Sequence, residues 1–348
     1  MKKNIILIIS ILLSATTFFP SFAIKNKDEK KTEPYLTRTF RAETINSAEV
    51  LTMGGSITVI GDAVSEVVVE MFLSRNNRTA AQIEQIFNDN YSVEIDVKNG
   101  KLFVIVKQKQ LMTNWNQQGL NISFKILVPK EMECNLQTSG GSIIVENISG
   151  MVSGVTSGGN IIVNDSKGNI SMSTAGGNIL AENISGTIKM ITAGGNILAE
   201  NINGIIKFQT SGGNIKLNNI NGDIDVITSG GNINANSVIG TLKAGTAGGN
   251  AKLENISGNV NATTSGGTIN AKMKSTDEYI ILTNNGNINL TLPAGNSYNL
   301  KITATKIDTS GLKNFSGNIS EKSIEGTVGQ GGTRIELGTT HKVSLIFE

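Results

Sequence analysis

The sequence holds one cysteine, Cys134, and one histidine, His341, among its 348 residues. A lone thiol excludes an internal disulfide. Cys134 alternates with Met132 and Leu136 at strand period, which puts all three on one face and predicts a buried small hydrophobe. A lone histidine excludes a histidine pair at metal spacing, and no Gly-x-Ser-x-Gly elbow is present. His341, in the terminal segment, reads as a solvated side chain. A basic excess is also missing. Of 30 basic residues, Lys2 and Lys3 belong to a segment expected to be removed, which leaves as many basic as acidic residues, 28. That balance argues against a general nucleic-acid or acidic-membrane binder.

The removed segment is residues 1–23. Lys2 and Lys3 form a basic start, Ile5 to Leu13 an apolar core, and Ser21-Phe22-Ala23 a small-x-small cleavage site, so a secretory signal peptide is expected. No cysteine follows directly to accept a lipid, and Val343 to Glu348 is too short an apolar tail to span a bilayer. The mature protein is expected to be exported (periplasmic, cell-surface or secreted), with no stable membrane insertion after cleavage. Residues 24–35 read as a disordered linker.

What the chain has in abundance is one phrase, Thr-(Ser/Ala)-Gly-Gly-Asn-Ile, recurring every 18 residues from Thr138 to Thr264, with a degraded ninth copy expected at Thr283. A period held without insertion means that each repeat is one turn stacked on the next. In the copy beginning at Thr192, apolar residues fall at places 6, 8, 11, 15 and 17: Ile197, Ala199, Ile202, Ile206 and Phe208. Spacing two is the strand signature. Helix is excluded, because glycines in a helix interior cost about 1 kcal/mol each. Two corners, Gly194-Gly195 and Asn201 to Gly204, are expected to turn through glycine at positive φ. Asparagines at place 5 (Asn160 to Asn250) and place 10 (such as Asn183 and Asn201) are expected to stack as hydrogen-bonded ladders, with the threonines capping the corner through their hydroxyls. The predicted fold is all-β, a parallel β-solenoid (β-helix) of 18-residue coils over 136–325.

Open stack ends recruit other chains unless covered. Residues 36–135 are expected to form an N-terminal β capping module. It opens with an early copy of the phrase, Thr52-Met53-Gly54-Gly55-Ser56-Ile57. Alternating strands follow (Val67 to Leu73, Val93 to Val97, Leu102 to Val106, Ile122 to Val128), with one inserted helix near 78–88 that presents Ile83, Ile86 and Phe87 on one face. Residues 326–348, with Gly331-Gly332-Thr333, read as a loose terminal coil.

These features together resemble the bacterial putative adhesin family with β-strand repeats, DUF4097. The carriers are the signal segment, the Gly54-Gly55-Ser56-Ile57-Thr58-Val59 strand, the Val128-Pro129-Lys130 step and the Thr-Ser-Gly-Gly-Asn-Ile ladder, together covering about residues 36–348. The resemblance implies an exported solenoid with an adhesive or envelope role. It brings no catalytic residues.

Other chemistries fit poorly. Glu146, Glu182, Glu200 and Glu254 form a column that would be a surface stripe rather than a glycosidase pair. Asp223 and Asp225 share a strand face without a third partner. Calcium repeats need aspartate where this chain has Asn or Ser after Gly-Gly. The Gly-Gly corners lack the Lys-Ser/Thr ending of a phosphate loop, and a single threonine column does not make an ice-binding array. No catalytic, cofactor-binding or metal-binding residue is expected, and no cofactor. Trp115, in the polar stretch Thr113 to Gly119, is the candidate partner anchor. The expected function is a non-catalytic, adhesin-like or envelope structural role with a protein or glycan surface partner. The alternatives are a periplasmic binding or regulatory module working through its cap and, more remotely, a glycan-active β-helix enzyme.

Overall fold

The computed structural model describes residues 33–109 and 119–348. The expected signal peptide, most of the expected linker and Trp115 lie outside the described residues. Residues 34–348 form one compact unit. Among the described residues it is all-β apart from a short 3-10 turn and one α-helix, and its central strands stack in parallel, solenoid-like repeats.

The pairing register carries the repeat directly. Ile179 pairs with Ile197, Ile197 with Ile215 and Ile215 with Ile233, each step 18 residues, and the rest of each strand keeps that register except at place 10. Each coil holds two strand walls. The first runs through places 5 to 9 and the second through places 14 to 18, with corners between them. Places 6, 8, 11, 15 and 17 are buried in every complete coil that carries an apolar residue there, so a column of Ile, Val, Leu, Ala and Met fills the space between the walls. At place 17, Gly154 leaves room where a Cβ would come 3.4 Å from Ile143 at place 6, so these two places face one another across the core. Cys134, Met132 and Leu136 are buried on one face as expected.

The corners work differently from the expectation. The glycines at places 3 and 4 have no positive φ. Place 4 is glycine because successive coils touch there: a Cβ on Gly195 would lie 1.9 Å from the carbonyl oxygen of Gly177. Positive φ belongs to the second corner, where place 10 holds φ 55° at Asn183, Asn201 and Asn255, and Gly204 at place 13 holds φ 138°. Asparagine tolerates this left-handed region better than other side chains do. Its recurrence at place 10 therefore has a backbone cause as well as a ladder cause.

Side-chain ladders then tie coil to coil. Each buried Thr at place 1 bridges two coils: Thr192 Oγ1 donates to Gly177 O (2.8 Å) and accepts from Gly195 N–H (3.1 Å). At place 5, Asn196 Oδ1 accepts both the backbone N–H of Asn214 (2.8 Å) and its side-chain amide (3.2 Å). At place 10, Asn201 Nδ2 donates to Asn183 Oδ1 at 3.0 Å. The ninth copy starts one residue later than expected. Asn284, not Thr283, pairs with Thr264. Its side-chain amide donates to Gly267 O at 2.8 Å, doing what threonine does elsewhere. The shift arises from register slips between Leu253 and Val260, opposite the longer strand Ile269–Asn284.

At both ends the spatial order departs from chain order. Strands Ser47–Leu51 and Ile57–Asp62 pair directly with Glu133–Thr138 and Ile143–Glu146, so the early phrase at Thr52 is the rung just below Thr138. Thr138 Oγ1 accordingly donates to Gly55 O at 2.8 Å. Strands Lys101–Gln108 and Asn121–Pro129, later in sequence, lie beyond that rung. The boundary expected at residue 135 falls inside the strand Glu133–Thr138. At the other end, strands Thr333–Thr339 and Lys342–Phe347 sit between the repeats and the strands Tyr298–Thr303 and Lys306–Ser310. The segment expected as a terminal coil is thus an internal rung.

The N-terminal end is closed by turning the strand direction. Glu66–Ser74 and Tyr91–Lys98 run antiparallel to their neighbours. The helix spans Ala80–Asn90, two residues later than expected, because Thr79 and Gln82 form a capping box that sets its start. Ile83, Ile86 and Phe87 pack on the core as expected. Tyr35, at the end of the expected linker, donates its N–H to Met71 O (2.8 Å) and sets its ring against Phe87 (5.4 Å between centroids).

Candidate functional site

Because inward places are spent on the core, chemistry is left to the outward places 5, 7 and 9 of the first wall and 14, 16 and 18 of the second. On the first wall, Ile144, Ile162, Leu180 and Leu198 follow one another in register at place 7 and are half-buried only by their own neighbours. The column then changes character to Lys216, Asn234 and Lys252. Beside it runs the acid column. Glu182 pairs with Glu200, whereas asparagines (Asn164, Asn218, Asn236) separate these from Glu146 and Glu254. Partial burial, and then the carboxylates of Glu200 and Asp165, push the Glu182 carboxyl above its usual range. Glu254 is paired to Lys252 at 2.9 Å. The structure therefore spreads these acids along one outward stripe.

On the second wall Lys189 and Lys207 stand exposed at place 16, flanked by Ile191 and by Ile205, which is 60% exposed. Asp223 and Asp225 share the outward side of the next coil, as expected. The Oδ1 of Asp225 is shielded from solvent and has no hydrogen-bond partner.

The remaining candidates are not gathered. His341 is exposed in the turn before Lys342–Phe347, with Thr340 Oγ1 3.2 Å from its Nδ1. Cys134 is buried and its thiol is pushed up to about 12 by burial and then Glu133. Thiolate chemistry at neutral pH is therefore closed to it. Among the described residues no three His, Cys, Asp or Glu side chains could hold a metal, and no helix is long and apolar enough to cross a membrane. A shallow, open depression of about 460 Å³ lies on the Gly-Gly corner and is lined by Met53, Gly54, Asn121, Ser139 and Gly140, none of them charged. The apolar column at place 7 was missed at the sequence level. Its signal was present as an apolar residue between two inward ones, Ile143-Ile144-Val145 and Ile161-Ile162-Val163.

No curated protein matches the sequence. Solved structures that match include a putative cell adhesion protein from Clostridium sporogenes ATCC 15579, 9% identical with a TM-score of 0.23, covering 89% of this chain and 97% of that one. Another is a putative adhesin from Bacteroides fragilis NCTC 9343, 12% identical with a TM-score of 0.26, covering 90% and 96%. Superpositions this loose carry nothing about function. The family model described as Toastrack DUF4097 spans residues 45–342, which takes in the interleaved N-terminal rung, every repeat and most of the closing strands. The chain belongs to the Toastrack DUF4097 family.

Proposed function

We propose that this is an exported, non-catalytic, adhesin-like protein of the cell envelope, built on a β-solenoid of 18-residue coils whose two outward walls engage a protein or glycan partner. The observation that supports this most is the in-register column Ile144, Ile162, Leu180 and Leu198 on the outside of a stack whose inside is already filled. Aligned apolar side chains on an outward face mark interaction surfaces even when half-buried by one another, and the ladders of Thr and Asn hold this one rigid. Preorganised side chains need little ordering on contact, which favours affinity. The residues 1–23 support export, through their signal-like pattern.

The test uses the complete chain. Removing residues 36–130 would take out the rung Ser47–Asp62 on which the repeats stack, so substitutions replace truncation. Fractionation of cells expressing the tagged chain should recover it outside the cytoplasm; retention in the cytoplasm refutes export. Binding of the purified protein to cell surfaces and extracted glycans should weaken when Ile162, Leu180 and Leu198 are changed to Ser. If that variant binds as well as the wild type while Trp115→Ala abolishes binding, recognition belongs to the cap and the alternative reading replaces this one.

A further inference from the structure

Two columns on opposite walls of the stack complement one another. In three consecutive coils place 7 of the first wall reads Leu180, Leu198 and Lys216, with Glu182 and Glu200 two residues on at place 9, and place 16 of the second wall reads Lys189, Lys207 and Asp225. Places 6 and 17 face one another across the core, so place 7 lies directly behind place 16. Sliding one copy sideways, without tilt or axial shift, therefore lays each place 7 over a place 16. Leu180 and Leu198 then meet the aliphatic stems of Lys189 and Lys207, with Glu182 and Glu200 beside the ammonium groups, and Lys216 meets Asp225. One coil set earlier, Ile144 and Ile162 meet the small side chains Ser153 and Ser171. The two large residues Ile144 and Ile162 face small ones and Lys216 faces a charge of opposite sign, whereas in the next two coils Lys243 faces Asn234 and Lys252 faces Asn261.

Two further observations favour this occupant. Glu182, Glu200, Lys189 and Lys207 form no ion pair within the chain among the described residues. Both walls step by the same strand spacing of about 4.8 Å, so opposed places stay level from coil to coil. The first wall is continuous from the strand Leu36–Arg41 to the strand Lys306–Ser310. About fifteen rungs at about 4.8 Å, and a width of about 16 Å, give roughly 1,100 Å² per copy. A stable interface needs about 800 Å² per partner.

We infer that copies of this chain associate side by side, the first wall of one against the second wall of the next, with parallel axes. The contact is heterologous, so it does not close on itself and propagates as a row. The near balance of acids and bases over the whole chain leaves little repulsion to oppose it. The inference uses the same first-wall column that the proposed function offers to an outside partner, so within a row that column is open only on the terminal copy.

Sedimentation velocity of the purified chain should show weight-average mass rising with concentration, and falling at about 1 M salt, where screening shortens to about 3 Å. Glu182→Lys with Glu200→Lys should weaken association by about tenfold or more, and so should Lys189→Glu with Lys207→Glu. Mixing the two double variants should restore it, because each altered wall then meets its complement. Both variants must melt like the wild type. If either does not, the pairs Glu182→Gln with Glu200→Gln and Lys189→Gln with Lys207→Gln replace them and must weaken association. A wild type that stays monomeric at every concentration overturns the inference. So does a mixture that stays apart, or a reversal that acts on one wall only, which would mean like-on-like pairing.

Discussion

Gly194 and Gly195 are adjacent, identical in kind and repeated in every coil, yet only one is required by contact. A Cβ on Gly195 would lie 1.9 Å from Gly177 O and 2.5 Å from Gly177 C, whereas one on Gly194 finds its nearest neighbour, Ala175 O, at 3.7 Å. Relieving the first clash means lifting the coil locally by about 1.3 Å, to a normal contact of about 3.2 Å, in a tightly packed stack. Three bonds cross that gap: Thr192 Oγ1 to Gly177 O at 2.8 Å, Asn196 N–H to Asn178 Oδ1 at 2.8 Å, and Ile179 N–H to Asn196 O at 2.9 Å. Stretched by more than 1 Å they are lost, at about 1 kcal/mol each, so Gly195→Ala should cost about 3 kcal/mol or more. Gly194→Ala should lie within about 0.5 kcal/mol of wild type, since loss of glycine freedom in the unfolded chain favours it slightly. Urea unfolding of the two purified variants, fitted with a common slope, reads this difference. Equal midpoints would refute the assignment of place 4 as the coil contact.

Thr192→Val keeps the shape but removes the hydroxyl that bridges Gly177 O and Gly195 N–H. Two buried backbone groups lose a partner, so a loss of about 2 kcal/mol is expected by urea denaturation, with Thr192→Ser clearly milder. Ile197→Asp should disrupt the stack and lower the thermal midpoint strongly, because the side chain is fully buried. Leu198→Asp, one residue on and facing out, should melt close to wild type; the reverse order would invert the wall. At Asn201, with φ 55°, Gly should be tolerated better than Ala by about 1 kcal/mol in the same assay. The Cys134 thiol ionises from about 9 upward when unfolded but stays protonated to about 12 when folded. The unfolded chain therefore holds fewer protons between those values, and stability falls as pH rises through that window. Subtracting the pH profile of Cys134→Ala should isolate this decline, and identical profiles would contradict it.

The regularity of the repeat made the central fold readable. Inward places 6, 8, 11, 15 and 17 follow from apolar spacing, and the asparagine ladders follow from identical residues at identical places. The cause of place 4 was not readable, because a glycine needed for close approach looks the same in sequence as one needed for positive φ. Only the distance from Gly195 to the coil beneath separates them. The outward column at place 7 was obscured because Ile162 sits between two inward residues. The start of the ninth copy was misplaced because Asn284 takes over a threonine's donated hydrogen bond without resembling threonine.

What the sequence determined alone is the coil: its period, its buried side and where its corners fall, all set by neighbours one turn apart that pair with their own copies. What only the tertiary structure decided is the order of rungs at the two ends. Strand edges present the same row of N–H and C=O groups whatever their sequence, so the local pattern cannot say which edge a distant strand will take. Ser47–Asp62 takes the edge beneath the repeats, and Thr333–Phe347 takes the edge above them. The packing of the remaining cap and closing strands against those two rungs fixes the choice.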